Sequence, residues 1–240
     1  MINIKRLIFV LAFFACFFMS ENFNAQKINQ FDSNKKRTGI WMKYYPNKRI
    51  RYKGQFLNGK EVGVFKFYDI TDSRNPTAIK SFSVTSDSVA VSFYSLKGSL
   101  KSKGFFIGKK RVGLWKYFFA NGKMMSKEFY VEGKLEGELI NYYPNGKPAE
   151  ISLYQKGLKE GISQKYSSKG ILIEEVMFEN GKPNGLAKYF ELTGLLKEKG
   201  VYKDGKRFGK WEFYLDGEIA SDEESKKKKT FFKKKTIQKN

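Results

Sequence analysis

Gly113-Leu114-Trp115-Lys116-Tyr117-Phe118-Phe119, then Ala120-Asn121-Gly122-Lys123, then Met124 to Glu132, then Gly133-Lys134-Leu135-Glu136 ahead of Gly137, is the stretch that decides the fold. The glycine that opens it returns every 24 residues, at Gly137, Gly161, Gly185 and Gly209, and stands earlier at Gly39 and Gly63. A period of this length is the signature of a repeat architecture. Within the unit, Leu114 to Phe119 is short and aromatic-rich, which favours a strand. Asn121-Gly122 offers the positive φ angles of a tight hairpin turn. A second strand runs over Met124 to Glu132. The second turn is Gly-x-x-x-Gly, seen at 59–63, 133–137, 157–161, 181–185 and 205–209, with one glycine leaving each hairpin and another entering the next.

Working outward, an aromatic follows each opening by five residues: Tyr44, Tyr68, Tyr94, Phe118, Tyr142, Tyr166, Phe190 and Tyr214. A second set follows by seventeen, at Phe56, Phe106, Tyr130, Tyr154, Phe178 and Tyr202. Two rings per unit at fixed offsets are expected to stack into ladders and so to bury apolar area in a single-layer sheet. Eight units fit if one copy begins near Val89, which stands where the opening glycine is missing. The join before Gly113 reads one residue longer, Gly108 to Gly113, and predicts a bulge there. Between 69 and 88 polar and turn-forming residues replace the pattern, which predicts an interrupted second strand in the second unit and leaves open a recognition loop or a decayed repeat. The fold expected is all-β, an elongated, twisted antiparallel meander of about eight 24-residue hairpins over 38–220. The turn glycines Gly63, Gly113, Gly137, Gly161, Gly185 and Gly209 punctuate it.

The unit from Gly113 to Lys123 and the stretch Tyr202-Lys203-Asp204-Gly205-Lys206-Arg207-Phe208-Gly209-Lys210-Trp211-Glu212-Phe213-Tyr214 resemble the MORN repeat, in the variant form found in many bacterial proteins. The departures are Lys48 in place of a hairpin glycine, Val89 in place of an opening glycine, and the 69–88 interruption. The resemblance implies an extended meander of hairpins with roles in protein contact or in holding proteins near membrane lipids. Some bacterial members of the family are catalogued as antitoxin components of toxin–antitoxin modules, a role that fits poorly with an exported chain.

Export is the reading of the amino end. Lys5 and Arg6 precede an apolar run from Leu7 to Met19, too short to span a bilayer, and Ala25 supplies a small residue before a cut. Residues 1–25 are expected to be a signal peptide and 26–37 a lead-in. A rival lipoprotein reading rests on Cys16, which lies in mid-run. Localisation is then the periplasm, the envelope or outside the cell. Cys16 is the one cysteine and there is no histidine, so the mature chain lacks Ser-His and Cys-His nucleophile systems, thiolate or imidazole zinc sites and disulfides. A carboxylate-only mechanism of the glycosidase kind remains open, since two Asp or Glu residues suffice, and nothing in the sequence selects a pair. No catalytic residue, metal ligand or cofactor is expected. Gly54 to Lys60 and Gly200 to Lys206 imitate a phosphate-binding loop, but Glu61 and Arg207 stand where Ser or Thr must bind magnesium.

Lys and Arg number 46 against 24 Asp and Glu, a net charge of +22. The tail 221–240 accounts for +5 of it and the first 25 residues for +1, so residues 26–220 hold +16, most of it in the repeats. Such a chain attracts anionic partners over a broad face, or simply stays soluble with blocked strand edges. The tail, with Lys226, Lys227, Lys228, Lys229, Lys233, Lys234 and Lys235 around Phe231-Phe232, is expected to be disordered and offers contact to an anionic surface. The leading expectation is a non-enzymatic scaffold for a protein partner. Attachment to anionic membrane or acidic polysaccharide and an antitoxin-like role are its rivals. Export and the structural use of the rings argue against nucleic acid.

Overall fold

The computed structural model describes residues 27–83 and 85–221. The expected signal peptide with Cys16, and the tail lysines from Lys226 to Lys235, lie outside the described residues. Among the described residues there is no helix, hence none long and apolar enough to cross a membrane. The strands are β1 (Gln30–Phe31), β2 (Arg37–Tyr44), β3 (Ile50–Leu57), β4 (Lys60–Phe67), β5 (Ala78–Phe82) and β6 (Ser88–Tyr94). They continue with β7 (Leu100–Ile107), β8 (Lys110–Phe118), β9 (Met124–Val131), β10 (Lys134–Leu135), β11 (Gly137–Tyr142) and β12 (Pro148–Gln155). The last are β13 (Leu158–Tyr166), β14 (Leu172–Glu179), β15 (Lys182–Phe190), β16 (Leu196–Lys203), β17 (Lys206–Leu215) and β18 (Glu218–Ile219). Each pairs antiparallel with its sequence neighbour, β10 and β11 sharing one position against β9, so the array is a single meander. At about 4.8 Å per strand, β2 to β17 extends on the order of 65 Å. The two-residue strands β1 and β18 cover only one end of each terminal strand, pairing with Arg37 and Thr38 of β2 and with Tyr214 and Leu215 of β17.

Two turn types alternate along opposite edges. Asn58-Gly59, Glu132-Gly133, Lys156-Gly157, Asn180-Gly181 and Asp204-Gly205 all carry positive φ at both residues, the requirement of a two-residue hairpin. The tight turn therefore lies here and not at Asn121-Gly122. That turn spans three residues: the Gly122 amide donates to the Phe119 carbonyl, the Phe119 amide donates to the Lys123 carbonyl, and Gly122 alone takes positive φ. Lys48, at φ 64°, fills the same place in the first hairpin without a glycine.

The opening glycine is neither kind of turn. Between β7 and β8 the register passes from Lys103↔Lys116 to Phe105↔Val112, so that Gly113, Leu114 and Trp115 face Gly104 alone. A three-against-one bulge recurs at the same place in the β3–β4 and β16–β17 ladders and one residue earlier in the β12–β13 and β14–β15 ladders, each with the glycine at positive φ. A bulge of this kind adds twist at a fixed interval. It also explains Val89. The β5–β6 ladder runs from Ala78↔Phe93 to Phe82↔Val89 with no shift, so no residue there needs positive φ. The expected extra residue before Gly113 is absent: Ile107 pairs with Lys110 across a two-residue turn, and the turn glycine has moved to its first position, Gly108.

The interruption also differs from expectation. The second unit keeps its second strand, β5, fully paired on both sides, and Phe82 takes the ring position opposite Gly63. What changes are the connections, 68–77 and 83–87. The first replaces a three-residue turn and is pinned to its neighbours: Asn47 Nδ2 donates to the Ile70 carbonyl at 2.9 Å and Asn75 Nδ2 to the Leu96 carbonyl at 3.2 Å.

The core lies on one face only. It is a file running across the strands two residues beyond each opening position: Trp41, Phe65, Val91, Trp115, Leu139, Ser163, Ala187 and Trp211. Five of them meet a partner on the strand before, and the two sizes compensate. Gly54 lies under Phe65, Gly104 under Trp115 and Gly200 under Trp211, where an added Cβ would sit 2.3, 2.4 and 2.2 Å from the ring. Where the second member is small the first is not glycine: Ser152 pairs with Ser163 and Val176 with Ala187. The second aromatic set closes over this file, with Phe56 5.3 Å from Phe65, Phe106 5.0 Å from Trp115 and Tyr202 5.1 Å from Trp211, edge to face. Trp115 is thereby 1 % exposed in a sheet with no second layer.

Candidate functional site

An arginine sits four residues before each tryptophan, and its guanidinium covers the indole. Arg37, Arg111 and Arg207 lie 4.9, 4.8 and 4.0 Å from the rings of Trp41, Trp115 and Trp211. Around Trp115 the ring face is also hydrogen-bonded: Arg111 donates to the Tyr130 hydroxyl at 3.1 Å, and that hydroxyl donates to Glu128 at 2.7 Å. Burial, and then the Glu128 carboxylate, push the Tyr117 phenol far above its ordinary range. A phenol held protonated in this way fills and satisfies a core; it is no nucleophile. In the Ser152 unit the same face turns polar, with Ser152 Oγ 2.7 Å from Ser163 Oγ and Lys159 ion-paired to Glu150. These contacts satisfy one another inside the layer. Among the described residues no cluster of three or more His, Cys, Asp or Glu is placed to hold a metal.

The opposite face is open and carries three parallel rows. Strand alternation puts there the residues one, three and five beyond each opening position, with their cross-strand partners. The first aromatic set is the outermost row. The Tyr166 hydroxyl donates to Gln164 at 2.8 Å and the Tyr214 hydroxyl to Glu212 at 2.7 Å, each two residues back on the same face. Tyr44, Tyr68, Tyr94, Phe118, Tyr142, Tyr166 and Phe190 are thus part of the open face, exposed or half-buried, with Tyr214 buried at its end, and only the second set builds the core.

The middle row is a file of directly paired residues. From β2 it reads Met42, Lys53, Lys66, Ile79, Ser92, Lys103, Lys116, Lys127. From β11 onward it reads Ile140, Ile151, Gln164, Glu175, Lys188, Lys199, Glu212. The later part is charge-balanced: Lys188 meets Glu175 at 3.1 Å and Lys199 meets Glu212 at 3.0 Å. The earlier part is not. Lys53 faces Lys66, and Lys103 faces Lys116, which faces Lys127; among the described residues the one ion pair in this stretch is Lys127 to Glu138 at 3.8 Å. Like charges directly opposite are unfavourable by a few tenths of a kcal/mol or more, on the order of 0.2–1 kcal/mol.

The third row is apolar and exposed. Val64, Phe105, Leu114, Phe129, Leu153, Ile162, Met177, Leu186 and Val201 lie between 37 and 51 % exposed along the array. Phe105, Leu114, Lys103 and Lys116 border a shallow depression of about 310 Å³ between β6 and β8. A wider hollow of about 640 Å³ lies at the 83–87 connection, lined by turn residues such as Lys60, Glu61 and Asp87. The turn glycines, from Gly63 to Gly209, hold the bulges and touch neither hollow as polar groups. Composition showed the charge, and the 24-residue period showed the rings. Neither separates the two faces; tabulating lysines at offsets three and fourteen from the opening glycine is the signal that does.

The family model described as MORN repeat variant matches residues 37–58, 111–132 and 135–156. Each match begins in one strand, crosses a three-residue turn and ends after the next strand. A comparison with curated proteins gives no match. Among solved structures, TarM is similar over 50 % of this chain at 17 % identity, and a variant of S. aureus TarM in complex with Fondaparinux, alpha-GlcNAc-glycerol and UDP over 51 % at 18 %, each with a TM-score of 0.25. The chain spans 20 and 19 % of those two chains.

Proposed function

For a chain that is a tandem scaffold of MORN-variant repeats, we propose a non-enzymatic role: it holds a protein partner, in the cell envelope or outside the cell, on the open face of the sheet. The observation that carries the reading is the exposed apolar row beside an uncompensated lysine file. Monomeric surfaces seldom leave a contiguous apolar patch uncovered, and Phe105, Leu114 and Phe129 form such a patch beside the lysines. The amino-terminal signal pattern at 1–25 supports export, and the lack of histidine and of any cysteine beyond Cys16 supports a binding role over catalysis. The test is cross-linking of the tagged chain in its own cells, purification under denaturing conditions and mass spectrometry of what is covalently trapped, against a form lacking residues 221–240. A single dominant protein trapped by both forms is the expected result. Absence of any enriched protein, with lipid or polysaccharide in its place, overturns the reading.

A further inference from the structure

Resting on that reading, we propose that the central segment of the open face, β6 to β9, takes an acidic amphipathic α-helix lying across the strands, its carboxylates on Lys103, Lys116 and Lys127 and its apolar stripe on Phe105, Leu114 and Phe129. Three observations converge on this occupant. The lysines lie on consecutive paired strands and so repeat at about 4.8 Å, close to the 5.4 Å of one helical turn. A helix with acids at i, i+4 and i+7 drifts only about 1 Å against three such lysines, well within the reach of their side chains. An extended peptide in the same direction presents same-side groups every 6.6 Å or so and falls out of step after one residue.

The apolar row is the second observation. Lys103 and Phe105, and Lys127 and Phe129, are each two residues apart on regularly paired strand, about 7 Å, and Leu114 in the β8 bulge borders the same depression as Lys103, Phe105 and Lys116. That spacing suits two adjoining stripes on a cylinder about 10 Å across. Charge is the third. Among the described residues no carboxylate pairs with Lys103 or Lys116, and Lys127 meets only Glu138 at 3.8 Å, so positive charge exceeds negative on this segment. A second copy of this segment brings the same lysines and is repelled, and the Lys-rich residues 226–235 are repelled likewise.

The experiment uses the full chain. A photoreactive residue is placed at Leu114 on the face, or at Asn121 on the turn edge, and cross-linked in cells; the trapped peptide is then sequenced. In parallel, anisotropy at about 0.15 M salt compares a synthetic helix carrying acids at i, i+4 and i+7 beside leucines with its scrambled isomer. The expected results are trapping at 114 of a segment with acids at helical spacing, and a preference of about tenfold for the patterned peptide. That preference should be lost in the Lys103→Glu/Lys116→Glu pair and kept in Lys134→Glu/Lys182→Glu, which changes equal charge at the turn edge. Equal binding of both isomers overturns the proposal, as does cross-linking of lipid at 114. Protein trapped at 121 alone overturns the helix while leaving the scaffold reading intact, and no protein trapped at either position removes both.

Discussion

The segment β6–β9 and the segment β11–β15 share one backbone plan and use it in opposite ways. In the first, an indole lies on a bare glycine and the open face carries lysine against lysine. In the second, Ser152, Ser163, Val176 and Ala187 fill the core, and the facing row contains Glu175 paired with Lys188. Both nevertheless carry a three-against-one bulge at the opening glycine and the same overall strand register. The plan is therefore held by glycines and by matched volumes in the file, while the charge on the open face varies independently of it. A lysine row that the fold does not require, set beside exposed apolar residues, is what a binding surface looks like.

The contrast can be broken most severely at Trp115. Trp115→Ala should cost roughly 3–5 kcal/mol by denaturant unfolding, because a fully buried ring leaves a cavity that glycine cannot fill. An equal loss from Val176→Ala would mean that the two segments do not differ in core weight. Gly104→Ala tests the glycine directly: a Cβ 2.4 Å from the indole should destabilise by about 2–3 kcal/mol, whereas Gly122→Ala, with nothing within 4 Å, should cost only what its positive φ demands. Ser163→Ala leaves the Ser152 hydroxyl and the Lys159 ammonium short of a partner and should cost about 1–2 kcal/mol in the same measurement.

Acid should divide the segments next. Burial alone raises the Glu150 pKa, but hydrogen bonding and charge from Lys159, with help from Ser152 and Asn141, outweigh it and leave the net value low. The folded value then lies below the unfolded one. The stabilisation is present above the unfolded pKa, near 4.3, and is lost as pH falls through the folded value. Hydrogen exchange in β12 and β13, corrected for intrinsic rates, should rise below about pH 4 relative to β7 and β8, and Glu150→Gln should abolish the difference. The smallest effect has the opposite sign. Lys116→Glu places an acid between Lys103 and Lys127 and should stabilise by about 0.5 kcal/mol. A loss instead would show that the lysine serves the fold.

Much of this was legible along the chain. A fixed glycine with rings at constant offsets specifies strands, turns and their number, because backbone requirements and period-two packing are local. The positions of the tight turn and of the bulge were not, since Gly59 and Gly63 look alike in a string while one needs a partner of positive φ and the other a neighbouring strand to bulge against. Gly54, Gly104 and Gly200 were invisible as a class, because their φ angles are ordinary and only the ring eleven residues later explains them. For the surface, Lys103, Lys116 and Lys127 read as three among 46 basic residues until pairing sets them side by side.

By itself the sequence determined an all-β array of MORN-like hairpins of 24 residues, with net positive charge and few chemical groups for catalysis. Periodicity and composition are properties of a string. The tertiary structure alone decided which ring set is core, that Val89 needs no glycine, and that lysines and apolar residues form adjoining rows on one face. Those facts depend on cross-strand register, and register joins residues ten or more apart through hydrogen bonds that no single residue announces.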